Sequence, residues 1–78
     1  MRLEIHTMRK TIFTGETSRL SLPTVTGEVT ILDNHEPYIT VLAQGKLKYE
    51  TTVGEQDLEI HGGFLEVRPN NNVRVLAD

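Results

Sequence analysis

The sequence predicts an all-β chain with two antiparallel sheets packed face to face. Three observations carry this. Apolar residues recur with a period of two along most of the 78 residues, the pattern of strands with one wet face. Glycine, proline, asparagine and aspartate interrupt that pattern at short intervals. No window offers an i, i+3, i+4 apolar stripe long enough for a helix. Ten threonines and many β-branched apolar residues add strand propensity. Short turns join such strands antiparallel, and a single sheet would leave its apolar face in water, so a second sheet must cover it. No linker, repeat or low-complexity stretch divides the chain, which reads as one unit over residues 1–78.

The elements follow in order. Leu3, Ile5 and Thr7 alternate with Arg2, Glu4 and His6 in a first strand. Thr14-Gly15-Glu16 reads as the turn between the second strand and the third. Ser18, Leu20 and Leu22 alternate with Arg19 and Ser21, and Pro23 ends that run because proline donates nothing to a ladder. Thr26-Gly27 opens a strand over Glu28–Leu32, closed by Asp33-Asn34-His35-Glu36-Pro37. Tyr38–Ala43 is the next strand. Gln44-Gly45-Lys46 turns the chain into Leu47–Val53, and Gly54-Glu55-Gln56-Asp57 reads as a hairpin tip. Leu58–Ile60 and Phe64–Val67 are separated by His61-Gly62-Gly63, and Pro69-Asn70-Asn71-Asn72 precedes the last strand, Val73–Leu76.

Composition narrows the function. Eight basic and eleven acidic residues give a net charge of −3, spread along the chain, whereas phosphate binding needs a clustered basic surface. Nucleic acid is therefore not the expected partner. No apolar run approaches the ~20 residues that span a bilayer. Met1-Arg2-Leu3-Glu4 places an acid where a secretory signal has its apolar core, so membrane association is expected only through a partner. The absence of cysteine leaves no disulfide framework or thiolate metal site and fits a reducing cytosol.

Residues with chemical potential are few. His35 lies between Asn34 and Glu36 in the turn begun by Asp33. It reads either as a general base or metal ligand beside a carboxylate, or as part of a polar loop that caps its own turn and faces water. His6 and His61 share no metal-ligand spacing with it. Ser18 and Ser21 lie within strand pattern and outside any G-x-S-x-G elbow. Gly62-Gly63 is no phosphate loop, since neither a lysine-bearing P-loop nor a helix surrounds it. A glycine pair between strands marks a bend or a close backbone approach. No catalytic residue and no cofactor is expected.

Two segments carry a specific family pattern. Leu22-Pro23-Thr24-Val25-Thr26-Gly27-Glu28-Val29-Thr30-Ile31-Leu32-Asp33-Asn34-His35-Glu36-Pro37 resembles the signature of the epsilon subunits of rotary F-type ATP synthases. His61-Gly62-Gly63-Phe64-Leu65-Glu66-Val67, followed by Val73-Arg74-Val75-Leu76-Ala77-Asp78, resembles that family's Gly-Gly-Phe-apolar-Glu-Val and Val-x-Val-Leu-Ala-Asp pair. Leu3-Glu4-Ile5-His6-Thr7, Phe13-Thr14-Gly15-Glu16 and Ala43-Gln44-Gly45 agree as well, so the resemblance covers the whole chain. The departures are Thr30 for a second glycine, Asp33 for a loop proline, Glu36 for an alanine, and Thr7-Met8-Arg9 for a Thr-Pro-Glu.

The resemblance implies a flattened antiparallel β-sandwich of about ten short strands in two sheets. It implies a non-catalytic rotor subunit at the foot of the central stalk, linking the gamma subunit to the membrane c-ring and coupling proton transport to ATP synthesis. That location is the cytoplasmic face of the bacterial inner membrane, reached through the complex. Glu28, Val29, Thr30, Ile31 and His35 match the family segment that faces the ring, and Tyr38, Ile39 and Thr40 are candidates for gamma contact. Gly62 and Gly63 are expected to be a structural turn. Relatives continue after the Leu-Ala-Asp segment into a helical hairpin, which is expected to be absent here. Two other readings stay open at this point: a free-standing β-sandwich adaptor, and a metal-dependent jelly-roll enzyme using His35, Glu36 and His61.

Overall fold

A computed structural model describes residues 1–78, and it contains nine strands and no helix. The strands are β1 (Arg2–His6), β2 (Thr11–Glu16), β3 (Arg19–Thr24), β4 (Gly27–Leu32), β5 (Tyr38–Leu42), β6 (Gly45–Thr51), β7 (Gly54–Ile60), β8 (Gly63–Arg68) and β9 (Asn72–Ala77). The alternation seen in the sequence fixes which face each presents. Leu3 and Ile5 of β1, Leu20 and Leu22 of β3, Leu47 and Tyr49 of β6, Leu65 and Val67 of β8, and Val73 and Val75 of β9 all point into one core, with Ile31, Leu42 and Ile60. The fold class is the predicted all-β sandwich.

The strands are joined in a single curled sheet rather than two separate ones. Its order is β2-β1-β9-β8-β5-β3-β6-β7, with β4 on β3. The curl is made at β3, whose one edge serves two partners: Leu20 and Ser21 pair with β6, while Thr24 pairs with Leu42 of β5. The two halves of the sheet fold over the core there, so hydrogen bonding continues where a sandwich of two sheets would break it. At the far side Phe13 of β2 meets Tyr49 of β6 with ring centroids 4.8 Å apart, although those strands share no ladder.

Four local expectations change. Pro23 does not end its strand, because it sits where β3 passes from β6 to β5 and a missing N–H interrupts neither ladder; its carbonyl still accepts from Ala43 N at 3.1 Å. Thr14-Gly15-Glu16 is strand, opposite Glu4, Leu3 and Arg2. The turn lies at Thr17-Ser18, before β3 rather than within it. Buried Thr17 uses its hydroxyl to accept from Glu50 N at 3.1 Å and to donate to Arg19 O at 3.0 Å. Gly54–Asp57 is also strand, and the tip is the two-residue Thr52-Val53, where Val53 is exposed. As an edge strand wet on both faces over this stretch, β7 carries no apolar alternation to read.

The first and last strands, β1 and β9, lie side by side and parallel, with Arg2 opposite Asn72 and Ile5 opposite Val75. No turn can make such a pair; it requires a long connection, here the remainder of the chain.

Candidate interaction surfaces

The segment Glu28–Ile31 lies in the strand expected over Glu28–Leu32 and belongs to the six-residue β4. Its six residues pair with β3 from Thr24↔Gly27 to Arg19↔Leu32. The Thr24 hydroxyl accepts from Thr26 N at 3.2 Å and holds the turn into the strand. Alternation then separates the predicted contact residues. Glu28, Thr30 and Leu32 are exposed on the outer face, Val29 packs partly against the core, and Ile31 is wholly buried. Ile31 is therefore a core residue whose side chain offers nothing to a partner.

The loop after β4 is fastened at a distance. Asn34 has φ 62°, and its N–H donates to Asn71 Oδ1 at 2.7 Å. Asn71 Nδ2 donates to Asp33 Oδ1 at 3.4 Å, and the same carboxylate pairs with the Met1 amino group. These donors, the Met1 ammonium foremost and then Asn71, hold the Asp33 carboxyl below its ordinary range. His35 is exposed; its Nδ1 donates to Glu36 O at 2.7 Å, and its ring lies 5.9 Å from that of Tyr38.

Because the folded pKa of Asp33 is lowered, its contribution to stability is complete above the unfolded value of about 3.9. It is lost as pH falls through the lower folded value. Asp33→Asn should therefore flatten the acid limb of a stability-versus-pH profile relative to the parent and leave its neutral region nearly parallel. Identical acid slopes in urea titrations of the two proteins would remove Asp33 from that role.

A second surface lies on the outer face of β5, β8, β9 and β1. Register aligns Val41, Phe64, Leu76 and His6 in one row, and Ile39, Glu66, Arg74 and Glu4 in the next. Ile39 (71% exposed), Phe64 (56%), Leu76 (47%) and Val41 (44%) make the near half apolar. The far half is charged: Glu66 pairs with Arg68 at 3.2 Å, and His6 contacts Glu4 at 2.9 Å. The His6 hydrogen bond, then the charges of Arg74, His6 and Arg2, keep the Glu4 carboxyl below its usual range. Arg74 Nε is buried without an acceptor. Of the predicted gamma-contact residues only Ile39 projects here; Tyr38 and Thr40 are half-buried on the opposite side of β5. Val41, Phe64 and Leu76 were not expected as surface residues. The signal for them is an unbroken apolar pair, Phe64-Leu65 and Val75-Leu76, in strands otherwise alternating. That is how a strand covered on both faces reads.

Gly62 lies between β7 and β8, and Gly63 is the first residue of β8. Their φ angles are 142° and 129°, in the region L side chains rarely adopt, and Gly62 O accepts from Asp78 N at 3.2 Å. A Cβ on Gly63 would lie 2.0 Å from Leu76 O. No three His, Cys, Asp or Glu side chains converge into a group able to hold a metal, and His35, Glu36 and His61 form no such group. One concave surface, of about 400 Å³, is lined by Glu16, Asp33, Glu50 and threonines, while another borders the apolar patch at Phe64 and Leu76.

Comparison with known proteins agrees with the geometry. All 78 residues match the family described as "ATP synthase, Delta/Epsilon chain, beta-sandwich domain". The chain is 41% identical over its whole length to the ATP synthase epsilon chain of Dehalococcoides mccartyi and 42% to that of Herpetosiphon aurantiacus, covering 55% and 57% of those relatives. It thus spans about half the length of the curated relatives it matches. It also superposes with TM-score 0.88 and 27% identity on a chain of the Euglena gracilis mitochondrial ATP synthase OSCP/F1/c-ring structure, covering 96% of this chain and 48% of that one. Sequence motifs, the curled nine-stranded sheet and these full-length matches agree: the chain belongs to the ATP synthase delta/epsilon β-sandwich family.

Proposed function

We propose that the domain is a non-catalytic stalk adaptor of a rotary ATP synthase, placed between the gamma subunit and the c-ring at the cytoplasmic face of a bacterial membrane. The observation that carries this reading is the family match over all 78 residues, together with bacterial relatives named ATP synthase epsilon chain. The two outer surfaces suit the two partners. Ile39, Val41, Phe64 and Leu76 form an apolar patch bordered by charge, the arrangement of an interface core with a polar rim, and this patch takes gamma. Exposed Glu28, Thr30 and His35, with Leu32 the large apolar residue on the same face of β4 and half-buried Val29 on the other, offer mainly polar groups, and they take the polar loops of the ring. A compact sandwich with short loops is a stiff body, as a part that transmits torque must be.

The test reintroduces this protein into a synthase stripped of its own epsilon subunit. Glu28→Ala with His35→Ala should keep the melting temperature within about 8 °C of the parent, since each exposed substitution changes stability by about 0.5 kcal/mol or less. The same protein should rebind the stripped complex more weakly and restore less ion-coupled ATP synthesis. Full restoration by the double variant would take these residues out of the ring contact. Failure of the parent chain to bind gamma at all would favour a free-standing adaptor.

A further inference from the structure

We infer that Asn71 is a positioning residue that holds the Asp33–Pro37 loop ready for docking, an inference that rests on the reading of His35 as ring-facing. Asn71 lies on the β8–β9 turn, remote in sequence from that loop. Its own main chain is fixed independently: φ is 60°, Asn70 before it has φ 66°, and its carbonyl accepts from Arg2 N at 3.0 Å. From this anchored position its side-chain amide meets two groups of the loop at once. Oδ1 takes the Asn34 N–H at 2.7 Å and Nδ2 faces the Asp33 carboxylate at 3.4 Å. The orientation of the amide follows from its partners, because an N–H needs an acceptor and a carboxylate needs a donor.

The remaining polar contacts within the loop are local. His35 bonds the carbonyl of the next residue and its ring neighbours Tyr38, so neither ties the loop to the body of the domain. Besides the Met1 amino group, Asn71 supplies the side-chain tether that crosses to another part of the sheet. An exposed loop without a tether samples alternatives, and a partner that needs one conformation binds only the fraction that has it. Fixing Asn34 in its left-handed conformation sets the direction in which the chain leaves β4 and hence where His35 projects. Asn71 thereby acts on docking through His35 without touching the partner.

The variant that isolates this role is Asn71→Gly, because glycine keeps the positive φ and loses only the amide. The melting temperature should fall by no more than about 12 °C, the range for loss of one exposed hydrogen-bonding group. Amide exchange at Asn34 should accelerate by roughly tenfold as its acceptor disappears. Affinity for the stripped synthase complex should drop by roughly two- to tenfold, through a slower association rate with dissociation nearly unchanged, as a reduced competent fraction requires. Unchanged exchange at Asn34 would overturn the tether. Unchanged affinity, in the face of weakened binding by Glu28→Ala with His35→Ala, would overturn its part in docking while sparing the ring contact. Intact docking of that double variant would overturn both the ring contact and the role of Asn71 in it, leaving the exchange result to decide the tether alone.

Discussion

Gly63→Val is expected to destabilise the domain by a few kcal/mol, a large share of its total stability. Two independent costs meet at this position. The φ of 129° excludes a β-branched residue from any relaxed backbone. A Cβ there would also stand 2.0 Å from Leu76 O, 2.9 Å from Ala77 Cα and 3.0 Å from Leu76 C. All three are main-chain atoms of β9, so no rotamer change relieves the clash; β8 and β9 must separate at their first pair, Gly63↔Ala77. Strain of a few kcal/mol is expected, against a total stability of ~4–12 kcal/mol for a chain of this length. Gly62 supplies the control. It shares the positive φ, but its Cβ would meet Asp78 Oδ2 at 3.2 Å and Leu42 O at 3.6 Å, and the aspartate tip can move. Gly62→Ala should therefore melt well above Gly63→Ala in calorimetry, and the reverse order would show the contact with β9 to be misjudged.

Leu20→Ala should cost about 3–5 kcal/mol, the range for a wholly buried leucine whose surroundings cannot collapse. Leu20 pairs with Ile31 of β4 on one side and Tyr49 of β6 on the other, and it is fully buried. Its removal would open a void at the strand where the sheet curls, bounded by three hydrogen-bonded strands that hold their spacing. At roughly 4–8 °C per kcal/mol for a domain of this size, the midpoint should fall by more than about 12 °C. Leu76→Ala makes the comparison pointed, since Leu76 is also a β-strand leucine but half exposed on the outer face; its stability effect should be a small fraction of that at Leu20. Similar losses at the two positions in denaturant titrations would mean that the core has been assigned to the wrong face.

What was legible in the sequence follows from where water reaches. Leu3 and Ile5, Leu20 and Leu22, Leu47 and Tyr49, and Val73 and Val75 each lie in a strand with one wet face, and period two reveals them directly. The first half of β7 is wet on both faces, so Gly54–Asp57 resembled a turn. Pro23 and Gly15 carry residue types that normally stop strands, and only the change of partner at β3 and the edge position of β2 show why they do not. Ile31 was assigned to a contact surface because a motif names consecutive residues, while a strand turns every second one inward. The tether at Asn71 was illegible for another reason: it links residues 34 and 71, and nothing local encodes a hydrogen bond across that separation. The order of strands in the sheet is likewise a property of the whole chain.

That order sets a schedule for biosynthesis. The β1–β2 hairpin enters the sheet's hydrogen bonding solely through β9, so the first strand of this domain pairs with its ninth. Until residues 72–76 have been made, the β1 edge that will face them stays open, and its inner face of Leu3 and Ile5 lacks the Val73 and Val75 that flank it in the finished sheet. Closing so long a loop is entropically costly and makes such pairings slow. The nascent domain therefore cannot be completed strand by strand as it emerges. Its sheet is complete only once β9 has been made.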